Sequence, residues 1–336
     1  MNIGIIGCGL IGKKRAKALQ EDDLLVACCD INQAVLEDYA EEFKCMAFTD
    51  FKKLIDESKL DSIVVAVVNK YTLPIVNYAL SNGIHVLAEK PLGRNVLESE
   101  KMVKMARKFD AVLKTGFNHR FHPAIWKAKE IFNKGRIGKL LYIRARYGHG
   151  GRPGMEKEWR SSKDLCGGGE LLDQGVHIID LSRWFAGDIK SVFARIETKF
   201  WDIIVEDNAF VYMESLNGSN IQFHVSWTNW KNIFSFEVFG QDGYLKIDGL
   251  GGSYGNETLE LGIRKKEGGR PDIEFFEFPA EDISWEEEWK EFKNSISEGR
   301  EPIGDGLDGL KANLIIDSIY KSSSKGCIIK VEKVKL

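Results

Sequence analysis

Short apolar runs alternate with stretches of helical period through the first third of the chain. "NIGII" is an apolar strand, and "LIGKKRAKAL" behind it reads as a helix. "LLVACCD" and "CMAF" are strands, "FKKLIDES" a helix, and "DSIVVAVVN", apolar on both faces, a buried strand. "TLPIVNYALSN" continues as a helix, "GIHVLAEKP" as a strand, "VLESEKMVKMARKFD" as an amphipathic helix and "AVLKTGFNHRF" as a last strand. Strand and helix in turn predict a doubly wound parallel sheet, an α/β Rossmann domain over residues 1–121.

Near residue 123 the rhythm changes. A helix pattern covers 125–133, and "LLYIRARYGHG" then alternates with period two. "SVFARIETKFW", "NAFVYMESLNGSNIQFHVSWTNW" and "IFSFEVFGQDGYLKIDG" read as antiparallel strands, with hairpin turns at "NGSN" and "QDGY". A helix over 173–185 interrupts them, and helices over 285–298 and 307–323 follow. This predicts an α+β domain over residues 122–336 built on a large, mostly antiparallel open sheet. Its sheet face is rich in Phe, Trp and Val, with little chain left to cover it, which predicts a homo-oligomer, dimer or tetramer.

The first strand runs into Gly7-x-Gly9-x-x-Gly12, with Leu10 and Ile11 between the last two glycines. Gly7 permits the tight turn, Gly9 lets backbone approach a pyrophosphate, and Gly12 lets helix and strand pack closely. The helix N-terminus offers free N–H groups to the phosphates. Asp30, 23 residues after Gly7 at the end of the second strand, is placed to bind ribose hydroxyls. Ile31, Asn32 and Gln33 follow, and no arginine there welcomes a 2′-phosphate, so NAD is favoured over NADP. Ligands bind beyond the carboxyl ends of such strands, where Asn69, Glu89, Lys90 and Asn118 stand.

Composition narrows the function. The 336 residues exceed one compact core, and 43% hydrophobic with 29% charged residues describes a globular protein. A net charge of −3 gives no reason to invoke nucleic acid or an anionic membrane. No run reaches the ~18 apolar residues of a membrane helix. The amino end is apolar first and basic after, the reverse of a secretory signal, so a cytoplasmic protein is expected. Its six cysteines include no CxxC and no zinc spacing, and are expected to be buried small hydrophobes.

Candidate chemistry gathers in "GGGELLDQGVHIIDLSRWF", residues 167–185. Asp173, His177 and Asp180 at i, i+4 and i+7 share one face of a helix. Taken alone, that face fits a metal site, a catalytic site or a plain polar seam. Ligands from no other cluster complete a metal sphere, so none is expected.

"GIIGCGLIG", "EKPL" at 89–92, "GFNHRFHPA" at 116–124, the Asp-x₃-His-x₂-Asp helix and the closing "PIGDGLDGLKANLIIDSIYKSS" together resemble the Gfo/Idh/MocA family across nearly the whole chain. The resemblance implies hydride transfer between nicotinamide and a carbon of a sugar or polyol. It also implies a catalytic group of Lys90, Asp173 and His177, and a cis peptide before Pro91. The chemistry is consistent: His177 can take a hydroxyl proton near neutral pH, Asp173 one turn earlier can favour its charged form, and Lys90 can stabilise charge developing on the oxygen. Asp180 suits helix anchoring better than catalysis. Where the family often carries N-x-x-H, this chain has "NKYT", with Thr72 at the last position. The resemblance also leaves open a reductase working in the opposite direction, a dinucleotide-binding regulator without turnover, and a glycoside-cleaving enzyme that uses NAD transiently.

Arg120, Tyr147, Arg152, Trp159 and Arg160 are candidate substrate contacts, and Arg144 and Arg146 share one face of a strand. Clustered arginines suit an anionic or nucleotide-linked sugar. "GLGGSYGNETL" at 249–259 is similar to a run in relatives acting on sugar nucleotides. The partner predicted is therefore a small-molecule sugar or nucleotide sugar.

Overall fold

A computed structural model describes residues 1–278 and 281–334. In the first unit the elements are β1 (Asn2–Ile6), α1 (Leu10–Lys17), β2 (Leu24–Cys29), α2 (Gln33–Phe43), β3 (Met46–Phe48), α3 (Phe51–Glu57), β4 (Ser62–Val65), α4 (Thr72–Ser81), β5 (His85–Glu89), α5 (Val96–Phe109) and β6 (Leu113–Gly116). Six parallel strands lie in the order β3-β2-β1-β4-β5-β6. The reversal at β1 makes the crevice above β1 and β4 the ligand position. Ile63, Val64 and Val65 are all buried, as a strand covered on both faces requires. The pattern left 33–43 unassigned, yet α2 forms there: Asn32 caps it by accepting from the Val35 N–H at 3.3 Å. The strand expected over "AVLKTGFNHRF" stops at Gly116, and a 3₁₀ turn, Asn118–Phe121, follows.

The second unit runs α6 (Pro123–Asn133), β7 (Leu140–Gly148), α7 (Lys163–Cys166), α8 (Val176–Ala186), β8 (Ile189–Glu197), β9 (Asn208–Ser215), β10 (Asn220–Ser226), β11 (Ile233–Gly240), β12 (Gly243–Asp248), β13 (Thr258–Ile263), β14 (Asp272–Glu277), α9 (Ser284–Glu298), α10 (Gly306–Lys325) and β15 (Ile329–Lys330). Nine strands pair in the order β14-β13-β12-β11-β7-β10-β9-β8-β15. Pairing is antiparallel except between β10 and β7. The inner face of this sheet packs under α6, α8 and α10, with Ile143, Phe223, Phe236, Ile178, Leu181 and Ile316 in one core. Its outer face carries Phe193, Phe210 and Tyr212, all exposed.

Two departures position the site. Residues Leu171–Gly175 form a π-helical turn ahead of α8, so the helix expected over 173–185 is not of one period. And α9, late in the sequence, sends Trp289 and Phe292 back into the core beneath Ile3, Ile5 and Cys8 of the first sheet. Trp289 Nε1–H donates to Asp23 at 2.6 Å, a bond spanning 266 residues.

Candidate active site

A cavity of about 940 Å³ opens above the carboxyl ends of β1, β2, β4 and β5 and continues between the two sheets. Its first half is built by the glycine turn. Gly7 holds φ +99°, a conformation that disfavours any side chain. A Cβ on Gly12 would lie 1.9 Å from the Gly7 carbonyl oxygen, so that glycine is required by helix–strand contact. A Cβ on Gly9 would meet nothing within 4 Å, which leaves open space where a ligand's phosphates approach backbone. Asp30 accepts from the Cys8 N–H and the Asn32 N–H, each at 2.9 Å, and lines the cavity beside Ile31, Thr49 and Phe51. These residues fit a dinucleotide: a phosphate cradle at a helix N-terminus and a fixed carboxylate for ribose hydroxyls.

The second half is built from distant segments. Lys90 stands just past β5, before a Lys90–Pro91 peptide that is cis, as the resemblance implied. Its Nζ donates to the Asp173 carbonyl at 2.7 Å and to the Asp173 carboxylate at 2.9 Å. Arg160 Nε donates to the other carboxylate oxygen at 3.3 Å. Burial disfavours the Asp173 carboxylate, but Lys90 and Arg160 outweigh it and hold the group well below the usual carboxylate range. Asp173 makes no hydrogen bond to His177, yet its charge favours the protonated imidazole, the effect expected of it. Asp173 lies in the π turn, and its oxygens are engaged by Lys90 and Arg160 instead. Nδ1 of His177 is buried with no hydrogen-bond partner among the described residues, and the ring stacks on His119. Burial, then the Lys90 charge, hold His177 well below the ordinary histidine value, with Asp173 opposing.

Beneath the cofactor end, Glu89 receives Arg15 Nε at 2.6 Å, and Arg15 also pairs with Glu288 of α9 at 2.7 Å. Lys114, fully buried, reaches the same Glu288. Asn69 lines the cavity but gives its amide to the Cys166 carbonyl at 2.7 Å. Asn118 donates to Ser284 Oγ at 3.0 Å. Thr72 is buried at the start of α4 and stands outside the cavity lining.

Of the expected substrate contacts, Tyr147, Arg152, Trp159 and Arg160 face the cavity. Arg120 does not. It is buried, its guanidinium clasping Asp180 at 2.6 and 2.8 Å and reaching Asp308 at 3.0 Å. This ion pair ties the 118–121 turn to α8 and α10, and it makes Asp180 an anchor. Arg144 and Arg146 lie on the opposite, solvent face of the sheet, Arg144 paired with Glu237 at 2.9 Å. Arg152 is spent on Glu158, bidentate at 2.6 and 2.7 Å. The sequence reading missed Gln174, Tyr254, Trp227 and, at the cofactor end, Lys14 and Trp285 as lining residues. Lys14 follows the glycine turn by two positions, a signal that was available. Tyr254 lies in the run 249–259 that the sequence singled out, whereas Trp285 carried no signal, because only folding brings that late segment over the first sheet. Among the described residues no three His, Cys, Asp or Glu gather as a metal site.

A dinucleotide crevice joined to a lysine, carboxylate and imidazole is the arrangement of a nicotinamide-dependent oxidoreductase. Residues 1–117 match the oxidoreductase family with an NAD-binding Rossmann fold, and 125–246 match the GFO/IDH/MocA C-terminal domain. The chain therefore belongs to the Gfo/Idh/MocA family, and is an NAD(P)-dependent oxidoreductase. It is 28% identical to myo-inositol 2-dehydrogenase of Thermotoga maritima over 99% of both chains. It is 24% identical to levoglucosan dehydrogenase of Pseudarthrobacter phenanthrenivorans, again over 99% of each. It is also 24% identical to the NADP(+) D-xylose 1-dehydrogenase of Haloarcula marismortui, over 81% of this chain and 75% of that one. The fold superposes on levoglucosan dehydrogenase solved with NADH and levoglucosan with a TM-score of 0.90, at 22% identity over 99% of this chain and 100% of that one.

Proposed function

We propose that the protein oxidises a secondary alcohol of a neutral sugar or cyclitol, using NAD, with His177 as base and Lys90 on the reacting oxygen. The observation that carries this reading is that Lys90, Asp173 and His177, from separate elements, open into the same cavity as the glycine turn. When bound, the nicotinamide supplies the hydride acceptor. His177, neutral because it is buried, takes the hydroxyl proton at a ring nitrogen. Lys90 donates to the oxygen as negative charge builds there. Asp173 holds the ammonium in place through two bonds to one residue, carbonyl and carboxylate.

Asp30 and its neighbours support NAD over NADP: Ile31, Thr49 and Phe51 accompany it in the lining, and a 2′-phosphate would face a carboxylate. The pairing of Arg152 with Glu158, and of Arg160 with Asp173, supports a substrate without phosphate, since each loop arginine already has its anion. Trp159 offers an apolar ring face to a sugar, and Gln174, held by Tyr254 OH at 2.8 Å, a hydrogen-bonding amide. The aromatic outer face of the nine-stranded sheet supports a homo-oligomer, checked by light scattering of wild type against Phe210→Lys. The described cysteines are all unpaired, which supports a reducing, cytoplasmic setting.

The test is a panel of myo-inositol, D-glucose, D-xylose, levoglucosan, glucose 6-phosphate and a nucleotide sugar with NAD⁺ and NADP⁺, read at 340 nm. Turnover of a neutral member with NAD⁺, abolished in His177→Ala, is the expected result. Tight NADH binding with no turnover anywhere would instead favour a dinucleotide-binding regulator.

A further inference from the structure

A catalytic imidazole is ordinarily aimed by a hydrogen bond at its second ring nitrogen. Among the described residues His177 has none: the residue is 3% exposed, and Nδ1 is buried with no partner there. Asp173, the carboxylate one turn before it in the sequence, is occupied by Lys90 and Arg160. Something else must set the plane of the ring.

The neighbour that touches it flat is His119. The two imidazoles stack with centroids 3.5 Å apart and planes 13° from parallel. Phe117 meets the His177 ring edge-on at 6.2 Å. His119, unlike His177, is tied at both nitrogens: Nδ1 to Asn118 Oδ1 at 3.1 Å and Nε2 to Tyr147 OH at 3.0 Å. The orientation of the Asn118 amide is itself set, because its Nδ2 donates to Ser284 Oγ, whose hydroxyl donates to Asp282 at 2.6 Å. An amide oxygen only accepts, so His119 carries its proton on Nδ1, and Nε2 accepts from the tyrosine hydroxyl. Both sites of the ring are filled while it is neutral.

We infer that His119 is a positioning residue, a pinned neutral platform that fixes the plane of His177 by stacking where a second-nitrogen hydrogen bond would normally do so. This rests on the reading of His177 as the base. The groups facing His177 are Lys90 beyond β5, Asp173 in the π turn, His119 and His122 around the 3₁₀ turn, and Arg15 of α1. Burial, and then His177 itself, keep His119 well below the ordinary histidine value. Both His119 nitrogens are already engaged, so the platform offers no free site to a proton taken from substrate.

The experiment compares His119→Phe with His119→Ala in the full-length enzyme. Phenylalanine keeps a flat face and loses both tethers; alanine removes the platform. With the panel sugar of highest kcat/KM, His119→Phe is expected to keep kcat within about fivefold. His119→Ala is expected to lose about 100-fold, the scale of a misplaced catalytic group, with KM and the NADH dissociation constant changed less than about threefold. In ¹³Cε1-histidine spectra, the ring-current shift of His177 should survive in the phenylalanine variant and vanish in the alanine one. If alanine does not fold, His119→Leu, which fills the space without a flat face, takes its place. Equal kcat in the flat and non-flat variants overturns the inference. His177→Ala run alongside keeps the two ideas apart. A dead His177→Ala beside a fully active His119→Ala sinks the platform alone, whereas an active His177→Ala sinks the base assignment.

Discussion

At the scale of single residues, the chemistry turns on two charges and a neutral ring. His177→Ala should cut kcat by about 10²–10⁴-fold, the span of general base catalysis, and leave NADH affinity unchanged by fluorescence titration. The pH profile has a definite sign. Burial and then Lys90 lower the His177 value, so the imidazole stays neutral to lower pH than a free histidine. The acid limb of kcat/KM for alcohol oxidation should therefore fall below about 6.5. A limb above 7 would contradict the assignment. Asp173 has a linkage to stability of the same sign as His177, since both values are depressed by folding. Its folded value is depressed, so its stabilising effect is present above the ordinary carboxylate range and is lost only as pH falls through the lower folded value. Lys90 and His177 are candidates from the sequence because the strand end and the family resemblance single them out, and both line the cavity. The partner of Asp173 was not readable there, because Lys90 lies 83 residues away and the local helical spacing pointed to His177 instead.

At the scale of elements, the glycine turn separates folding from binding. Gly9→Ala meets nothing within 4 Å and should fold with unchanged Tm, yet weaken NADH by about tenfold, 1.4 kcal/mol, by obstructing the pyrophosphate. Gly12→Ala must push against the Gly7 carbonyl and should lower Tm as well. A second prediction concerns the start of α10. Asp305 caps it by accepting from the Asp308 N–H at 2.7 Å, but burial, then the Asp308 charge, push its carboxyl up to about 6. A raised acid favours the folded state while protonated. Its contribution is present below the ordinary value near 3.8 and lost as pH rises through about 6. Asp305→Asn keeps the cap and cannot ionise. It should raise stability at pH 8 by roughly 1 kcal/mol and change little at pH 4, measured by urea unfolding. Element types were largely legible from period and glycine punctuation. The π turn at Leu171–Gly175 was not, because a single added residue per turn leaves the apolar spacing of a helix nearly intact.

At the scale of the molecule, the two sheets do not divide the chain as its order suggests. The fragment 1–121 lacks α9, and with it Trp289 and Phe292, which cover Ile3, Ile5 and Cys8. That fragment is expected to remain unfolded or molten by near-UV circular dichroism. In the full chain, Trp289→Ala should cost about 3–5 kcal/mol, the range for deleting a buried aromatic. A well-folded 1–121 would show that α9 is dispensable to the first sheet. The sequence by itself determined the parallel α/β unit, the antiparallel sheet and the dinucleotide turn. Each of these is encoded in local period or in residues a few positions apart. Only the tertiary structure decided that Arg120 belongs to Asp180 and Asp308, that Arg144 and Arg146 face away from the cavity, that Asp173 serves Lys90, and that α9 closes the first core. The pairing of Arg120 and of Asp173 depends on which buried charge finds which partner across the fold. In a low-dielectric interior an unpaired charge is costly, so pairing is settled by three-dimensional proximity and burial, which no local pattern carries.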